Sequence, residues 1–170
     1  MPATPDELFA FLDRLAIRHS TVRHPPLFTV EQSQALRGQI PGAHTKNLFL
    51  KDKKGALFLV TALEDAAIEL KSLHARIGAK GRFSFGSADQ MLETLGVEPG
   101  SVTPFGVLND TQRRVTVVLD AALAAHETIN AHPLTNTMTT TVTRDDLLQF
   151  LRATGHEPRI AAVSGAPPGT

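Results

Sequence analysis

The sequence predicts an α/β fold: a single domain with a mixed, curved β-sheet surrounded by helices. Three observations lead there. Segments whose apolar residues recur with a helical period alternate with short runs rich in β-branched and large apolar residues. Several neighbouring strands are joined by connections too short for a parallel crossover, so the sheet must contain antiparallel pairs. The chain has 170 residues, 42% of them hydrophobic and 20% charged, which suits one core, and no repeat or linker divides it.

The elements follow in order. Thr4-Pro5-Asp6-Glu7 is a capping box with proline at the first helical position, and Leu8, Phe9, Phe11, Leu12 and Leu15 continue it at helical spacing, so a helix is expected over 5–16. "HSTVRH" reads as a short strand stopped by Pro25-Pro26. Thr29 with Gln32 starts a second helix ending near Gly38. Residues 47–51 and 56–60 are apolar runs around Asp52-Lys53-Lys54-Gly55, a β-hairpin. "LEDAAIELKSLHARIG" predicts a helix closed by Gly78, "GRFSFG" a brief strand, and Ser87 with Gln90 a capped helix over "ADQMLETLG". "RRVTVVLDAAL", "ETINAH" and "MTTTVT" read as strands, and Thr143 with Asp146 caps a last helix. The domain is expected to span 1–160, with 161–170 a flexible Ala/Gly/Pro/Ser-rich tail.

Composition narrows the chemistry. Seventeen Lys and Arg balance seventeen Asp and Glu, which argues against a broad cationic surface that coats nucleic acid but leaves room for a local basic patch. The absence of cysteine excludes disulfides, thiolate catalysis and cysteine-zinc sites together. No segment reads as a signal peptide or a membrane span, so a soluble cytoplasmic protein without membrane partners is expected.

The seven histidines show no HExxH or HxH pairing beside a carboxylate, so no metal site is expected. No G-x-S-x-G elbow and no phosphate-cradling P-loop is present. What remains lies at strand ends. Lys46 stands with Asn47 just before the first hairpin strand, where a solvated lysine is the ordinary reading. "PGSVTPFG", residues 99–106, is either a plain turn or a loop whose main chain grips a ligand or a reacting oxygen. "NAHPLTNTMT", residues 130–139, groups His132, Asn136 and several threonines around Pro133. Together the three would make a small polar pocket, which by itself identifies no reaction.

At these residues the chain resembles the freestanding prolyl-tRNA editing proteins, whose superfamily includes the YbaK deacylases and the insertion editing domain of bacterial prolyl-tRNA synthetase. "HTKNLFLKDKKG" is similar to the family's Lys-Asn segment and hairpin, "GSVTPFG" to its G-x-x-x-P loop, and "HPLTNTMT" to its late His-Pro segment. Their order and spacing agree over roughly residues 5–154, and "RHSTVRHPPLFTVEQS" looks most like the branch that clears alanine from the proline tRNA.

The resemblance implies hydrolysis of misacylated Ala-tRNA(Pro) to alanine and tRNA(Pro), without metal or cofactor, with the terminal ribose hydroxyl assisting. It makes Lys46 the polar anchor for the terminal phosphate or ester oxygen, supported by Asn47. Gly100, Ser101, Val102, Thr103 and Pro104 would hold the amino end and the attacking water through main-chain groups. His132 and Asn136 would line the opposite wall, and Phe28, Val30, Phe49 and Phe105 are apolar wall candidates that equally suit a core. Alanine can be accepted with proline excluded by size, whereas smaller side chains are rejected by only ~1–3 kcal/mol per methylene. Lys51, Lys53 and Lys54, or Lys71, His74, Arg76, Lys80 and Arg82, are candidates to meet the acceptor stem. The resemblance also points to prolyl-tRNA synthetase as a partner. A Cys-tRNA(Pro) or broader deacylase, and a binding module of the same fold without catalysis, are the alternatives.

Overall fold

The computed structural model describes residues 1–26, 31, 35 and 40–165. Helix α1 (Pro5–Arg14) begins as its sequence dictates. Thr4 Oγ1 accepts from the Glu7 amide, the Glu7 carboxylate accepts from the Thr4 amide, and Pro5 takes the first helical position. Leu8 and Leu12, four apart on one face, are fully buried. After β1 (Ser20–Arg23) come the hairpin strands β2 (Ala43–Lys51) and β3 (Leu57–Leu63). Next are α2 (Leu70–Ile77), β4 (Ser84–Phe85), α3 (Ala88–Leu95) and two 3-10 turns, Pro99–Ser101 and Pro104–Asn109. The chain closes with β5 (Val115–Asp120), α4 (Ala121–Ala124), β6 (Thr128–Ala131), β7 (Met138–Thr143), α5 (Arg144–Ala153) and β8 (Arg159–Ala161).

The described strands form one mixed sheet in the order β1-β7-β6-β2-β3-β5-β8, with β4 also pairing β2. The pairs β1/β7, β6/β7, β2/β3 and β2/β4 are antiparallel, and β2/β6, β3/β5 and β5/β8 are parallel. Alternation along β3 splits its apolar run between two cores. Leu57 and Leu59 join Phe49, Leu8, Leu12, Phe105 and Phe150 on one face, while Phe58 and Val60 join Leu50, Leu73, Ile77 and Val118 on the other. A strand covered on both faces has no need of polar alternation, which is why "LFLVTAL" is apolar almost throughout.

Several boundaries differ from those the sequence predicts. β2 begins at Ala43, so Lys46 lies inside the strand, opposite Ala62, and not at its start. Cross-strand partners extend it: Thr45 pairs with Leu63. The helix predicted from Leu63 starts only at Leu70, after Glu69, which has extended backbone and no side-chain cap. Ile68, which gave the earlier segment its helical look, packs on the second core from outside the helix. The strand expected to run through "LDAAL" ends at Asp120, and Ala121–Ala124 is helical. Of the segment expected as a tail, Ala161 completes β8 and Val163 is buried. The second predicted helix falls almost wholly outside the described residues, as do Phe28 and Val30.

One buried polar cluster ties α5 to the start of β5. His156 Nε2 donates to Asp110 Oδ2 at 2.8 Å, and its Nδ1 lies 2.9 Å from Thr154 Oγ1. The Asp110 carboxylate also accepts from the Arg114 and Val115 amides. Both side chains are almost completely buried. Replacing His156 by alanine strips a buried carboxylate of its ring partner, and a loss of about 3 kcal/mol in stability is expected. A denaturant midpoint equal to that of the unmodified protein would contradict this.

Candidate functional site

The site is set by where β2 parts from its neighbour. Gly42, at φ +106°, leads into β2 close against β6: a Cβ there would stand 2.8 Å from Thr128 Cγ2. The parallel ladder between β2 and β6 then has two rungs, Ala43 opposite Ile129 and His44 opposite Asn130. On that side β2 next pairs at Leu50 and Lys51, with β4. Between these points Thr45 to Leu48 border a gap in the sheet among the described residues. Crevices outside the carboxyl ends of parting parallel strands are where α/β sheets hold ligands. Two residues beyond the last rung stand Lys46 on β2 and His132 after β6.

Lys46 and Asn47 point to opposite faces of β2, as adjacent strand residues must. Lys46 is half-buried on the face of the second core, and its ammonium donates to the Ala66 carbonyl at 2.5 Å. Asn47 lies on the face of the first core. Its Nδ2 donates to the Val102 carbonyl at 3.1 Å, and its Oδ1 accepts from Thr61 at 2.6 Å. It is therefore Asn47, not Lys46, that holds the Gly100–Pro104 loop. The sequence places the two as one unit; the pleat divides their tasks.

Within that loop, Gly100 is exposed and has no positive φ, so the conformational freedom of glycine is not what the turn uses. Ser101 is buried and donates its amide to Glu98 O at 2.9 Å. Thr103 is fully buried and its Oγ1 accepts from the Phe105 amide, while Pro104 opens the second 3-10 turn. The Val102 and Thr103 amides make no hydrogen bond among the described residues. Phe105 is core: it is fully buried and meets Phe150 edge-on at 5.3 Å. Phe49 is core as well, with Gly86 seated on its ring so closely that a Cβ would come within 2.3 Å. Val102, half-buried beside the first core, is the apolar candidate left at the loop.

Across the gap, His132 Nδ1 donates to Met138 O at 3.0 Å, closing the loop between β6 and β7 and leaving Nε2 as the nitrogen with a lone pair. His24, the last residue of the "HSTVRH" segment, lies 6.4 Å from His132 between ring centroids. It is held by Pro25 O and Thr139 Oγ1, each at 2.8 Å. Burial pushes His132 below the ordinary imidazole range; the Met138 bond opposes this and the His24 ring adds to it. Asn136 is half-buried in the same loop, with no hydrogen bond to any described residue.

The two basic groups read from the sequence adjoin in the fold. Asp52 is buried in the hairpin turn and accepts from the Lys54, Ala56 and Lys80 amides, which joins the turn to the loop after α2. Burial raises its pKa, but those amide bonds together outweigh that and hold it below the usual aspartate value. Lys53, Lys54, Lys80 and Arg82 are exposed and make no ion pair among the described residues. Arg76 does not belong with them, because its guanidinium is spent on the carbonyls of Ala162, Ser164 and Gly165. No group of three metal-ligating side chains occurs among the described residues, and no described helix is long and apolar enough to cross a membrane.

A mixed sheet that parts beside a Lys-Asn pair, faced by a main-chain loop and a histidine loop, defines the class: the chain belongs to the aminoacyl-tRNA editing domain family, which it matches over residues 24–150. Among its relatives is "Prolyl-tRNA synthetase associated domain-containing protein 1" of Danio rerio, 43% identical across 91% of this chain and 84% of that one. Another is "Prolyl-tRNA editing protein ProX" of Acetoanaerobium sticklandii, 36% identical across 88% of this chain and 91% of that protein. In fold, the chain superposes on a candidate trans-editing enzyme for prolyl tRNA synthetase with a TM-score of 0.71 at 19% identity, covering 98% of this chain and all of the other.

Because His132 is held neutral by burial, its titration midpoint is expected below 6.5. A depressed midpoint means that its contribution to stability is present above the unfolded value and lost as pH falls through the folded one. Following its ring-proton shift by NMR checks this, and a midpoint above 6.5 would contradict it.

Proposed function

We propose that the protein is a trans-editing deacylase that hydrolyses the ester of misacylated Ala-tRNA(Pro), releasing alanine and reusable tRNA(Pro). The observation that carries the reading is the two-rung β2/β6 ladder with Lys46 and His132 two residues past its end. The relatives' printed names, which speak of prolyl-tRNA editing and of association with prolyl-tRNA synthetase, support it.

In this reading the aminoacyl end enters the gap beside Thr45–Leu48. Water adds to the ester carbonyl, the bond to the ribose oxygen breaks, and the leaving oxygen takes the proton, with the neighbouring ribose hydroxyl assisting. The Val102 and Thr103 amides face the developing oxyanion, where fixed donors stabilise the transition state more than the ground state. Lys46, on the other side of β2, meets the terminal phosphate with the two N–H bonds that Ala66 leaves free. Neutral His132 accepts from the substrate's amino group through Nε2, and Val102 limits the size of the side chain admitted. Lys53, Lys54, Lys80 and Arg82 contact the RNA backbone, few enough in number to give a shallow salt dependence.

Single-turnover deacylation of Ala-, Gly-, Ser-, Cys- and Pro-tRNA(Pro) by the purified protein tests the reading. Alanine is expected to be lost fast, with proline spared and serine and glycine esters leaking by the limited discrimination a methylene allows. Fast loss of cysteine alone would move the assignment to a Cys-tRNA(Pro) deacylase, and no turnover of any ester would leave a binding module. Lys46→Ala is expected to lower the rate by about a hundredfold or more with the melting temperature unchanged. Wild-type turnover in that variant would return Lys46 to an ordinary strand lysine. A chelator is expected to leave the rate unchanged; loss in EDTA that zinc restores would overturn the metal-free mechanism.

A further inference from the structure

The segment after β8 is held from three sides. Arg76, on α2, donates to the carbonyls of Ala162, Ser164 and Gly165 at 3.1, 3.2 and 2.6 Å. Asp120, buried at the end of β5, accepts from the Val163 amide at 3.0 Å and from Ser164 Oγ at 2.5 Å. The Val163 side chain is itself buried in the second core. The third hold leads to the site: the Gly165 amide donates to Ala67 O at 3.0 Å. Ala67 directly follows Ala66, whose carbonyl receives the Lys46 ammonium and whose amide is bonded to Leu63 O. Of two successive carbonyls, one orients the lysine and the other is gripped by the C-terminal segment.

We propose that Arg76, Asp120 and Ser164 are positioning residues for Lys46. They fix residues 162–165, those residues fix the turn between β3 and α2, and the turn fixes where the ammonium points. A lysine side chain is long and rich in rotamers, so a carbonyl that orients it before substrate arrives removes ordering from the reaction step. The catalytic meaning of the link rests on the proposed function; the link itself does not, and it is tested separately.

Two measurements on Arg76→Ala, Arg76→Lys and Ser164→Ala decide. The first is the acylation rate of each lysine by an amine-reactive N-hydroxysuccinimide ester, read by mass spectrometry, with exposed Lys53 and Lys54 as internal references. The second is single-turnover deacylation of Ala-tRNA(Pro), separated into rate and half-saturation. In the unmodified protein Lys46 is expected to react more slowly than Lys54. In Arg76→Ala its labelling should rise toward the reference while the single-turnover rate falls about tenfold and half-saturation holds. Arg76→Lys should recover part of both. Ser164→Ala, which removes only the hydroxyl bonded to Asp120, should show the same change to a smaller extent, and it carries the test if Arg76→Ala fails to fold. Unchanged Lys46 labelling in folded variants would reduce the clamp to a structural fastening and overturn the proposal, as would raised labelling with an unchanged single-turnover rate. If the unmodified protein hydrolyses no ester, the deacylase reading fails, and the labelling alone decides whether the clamp positions Lys46.

Discussion

Most of the arrangement depends on β2 being shared. It pairs with β3 over its length from Thr45 to Lys51, but with β6 for only two rungs. The long pairing makes β2 a rigid support, buried on one face by Phe49 and on the other by Leu50. The short pairing frees its middle on one side. A ladder continued past His44 would fill the space beside Lys46 and Asn47 with another backbone, and the same residues would be ordinary sheet. The pleat then does the rest, sending Asn47 to the loop and Lys46 to the turn before α2 without any long-range design in the side chains themselves.

Three buried aspartates share one job. Asp52, Asp110 and Asp120 each accept main-chain amides and each fastens a loop at a strand end. No Lys or Arg among the described residues is buried. The formal balance of seventeen against seventeen therefore conceals an asymmetry: part of the negative charge is turned inward, and the exterior is more basic than the count. A neutral chain can in this way present cations to a polyanion without an excess of them.

What the sequence made legible was local. The box at Thr4, the one at Ser87 and the cap at Thr143 are all formed, because a cap is decided by three or four consecutive residues. The hairpin around Asp52 was legible for the same reason. The three motif segments all border the parting of β2 and β6, yet their division between the faces of β2 was not foreseen, since it depends on which core and which loop each face of the strand meets. What each face meets is set by residues elsewhere in the chain: Asn47 bonds to Thr61 and Val102, and Lys46 to Ala66. Arg76 read as one more cation on a helix; only the folded path of residues 162–165 shows what it holds. His24 was likewise invisible as a neighbour of His132, because β1 and β7 bring them together from opposite ends of the chain.

The pairing of β1 with β7 also bears on how the protein is made. Thr21 and Thr140, bonded through their hydroxyls at 2.8 Å, are 119 positions apart. As the chain leaves the ribosome, β1 has no partner among the described strands until β7 has followed it out, and contacts of such separation close late. The β2–β3 hairpin needs only its own turn and can form as soon as it emerges. The two sides of the gap therefore come into being at different times: the strand that bears Lys46 early and nearly alone, and the loop that bears His132 only as the sheet is completed.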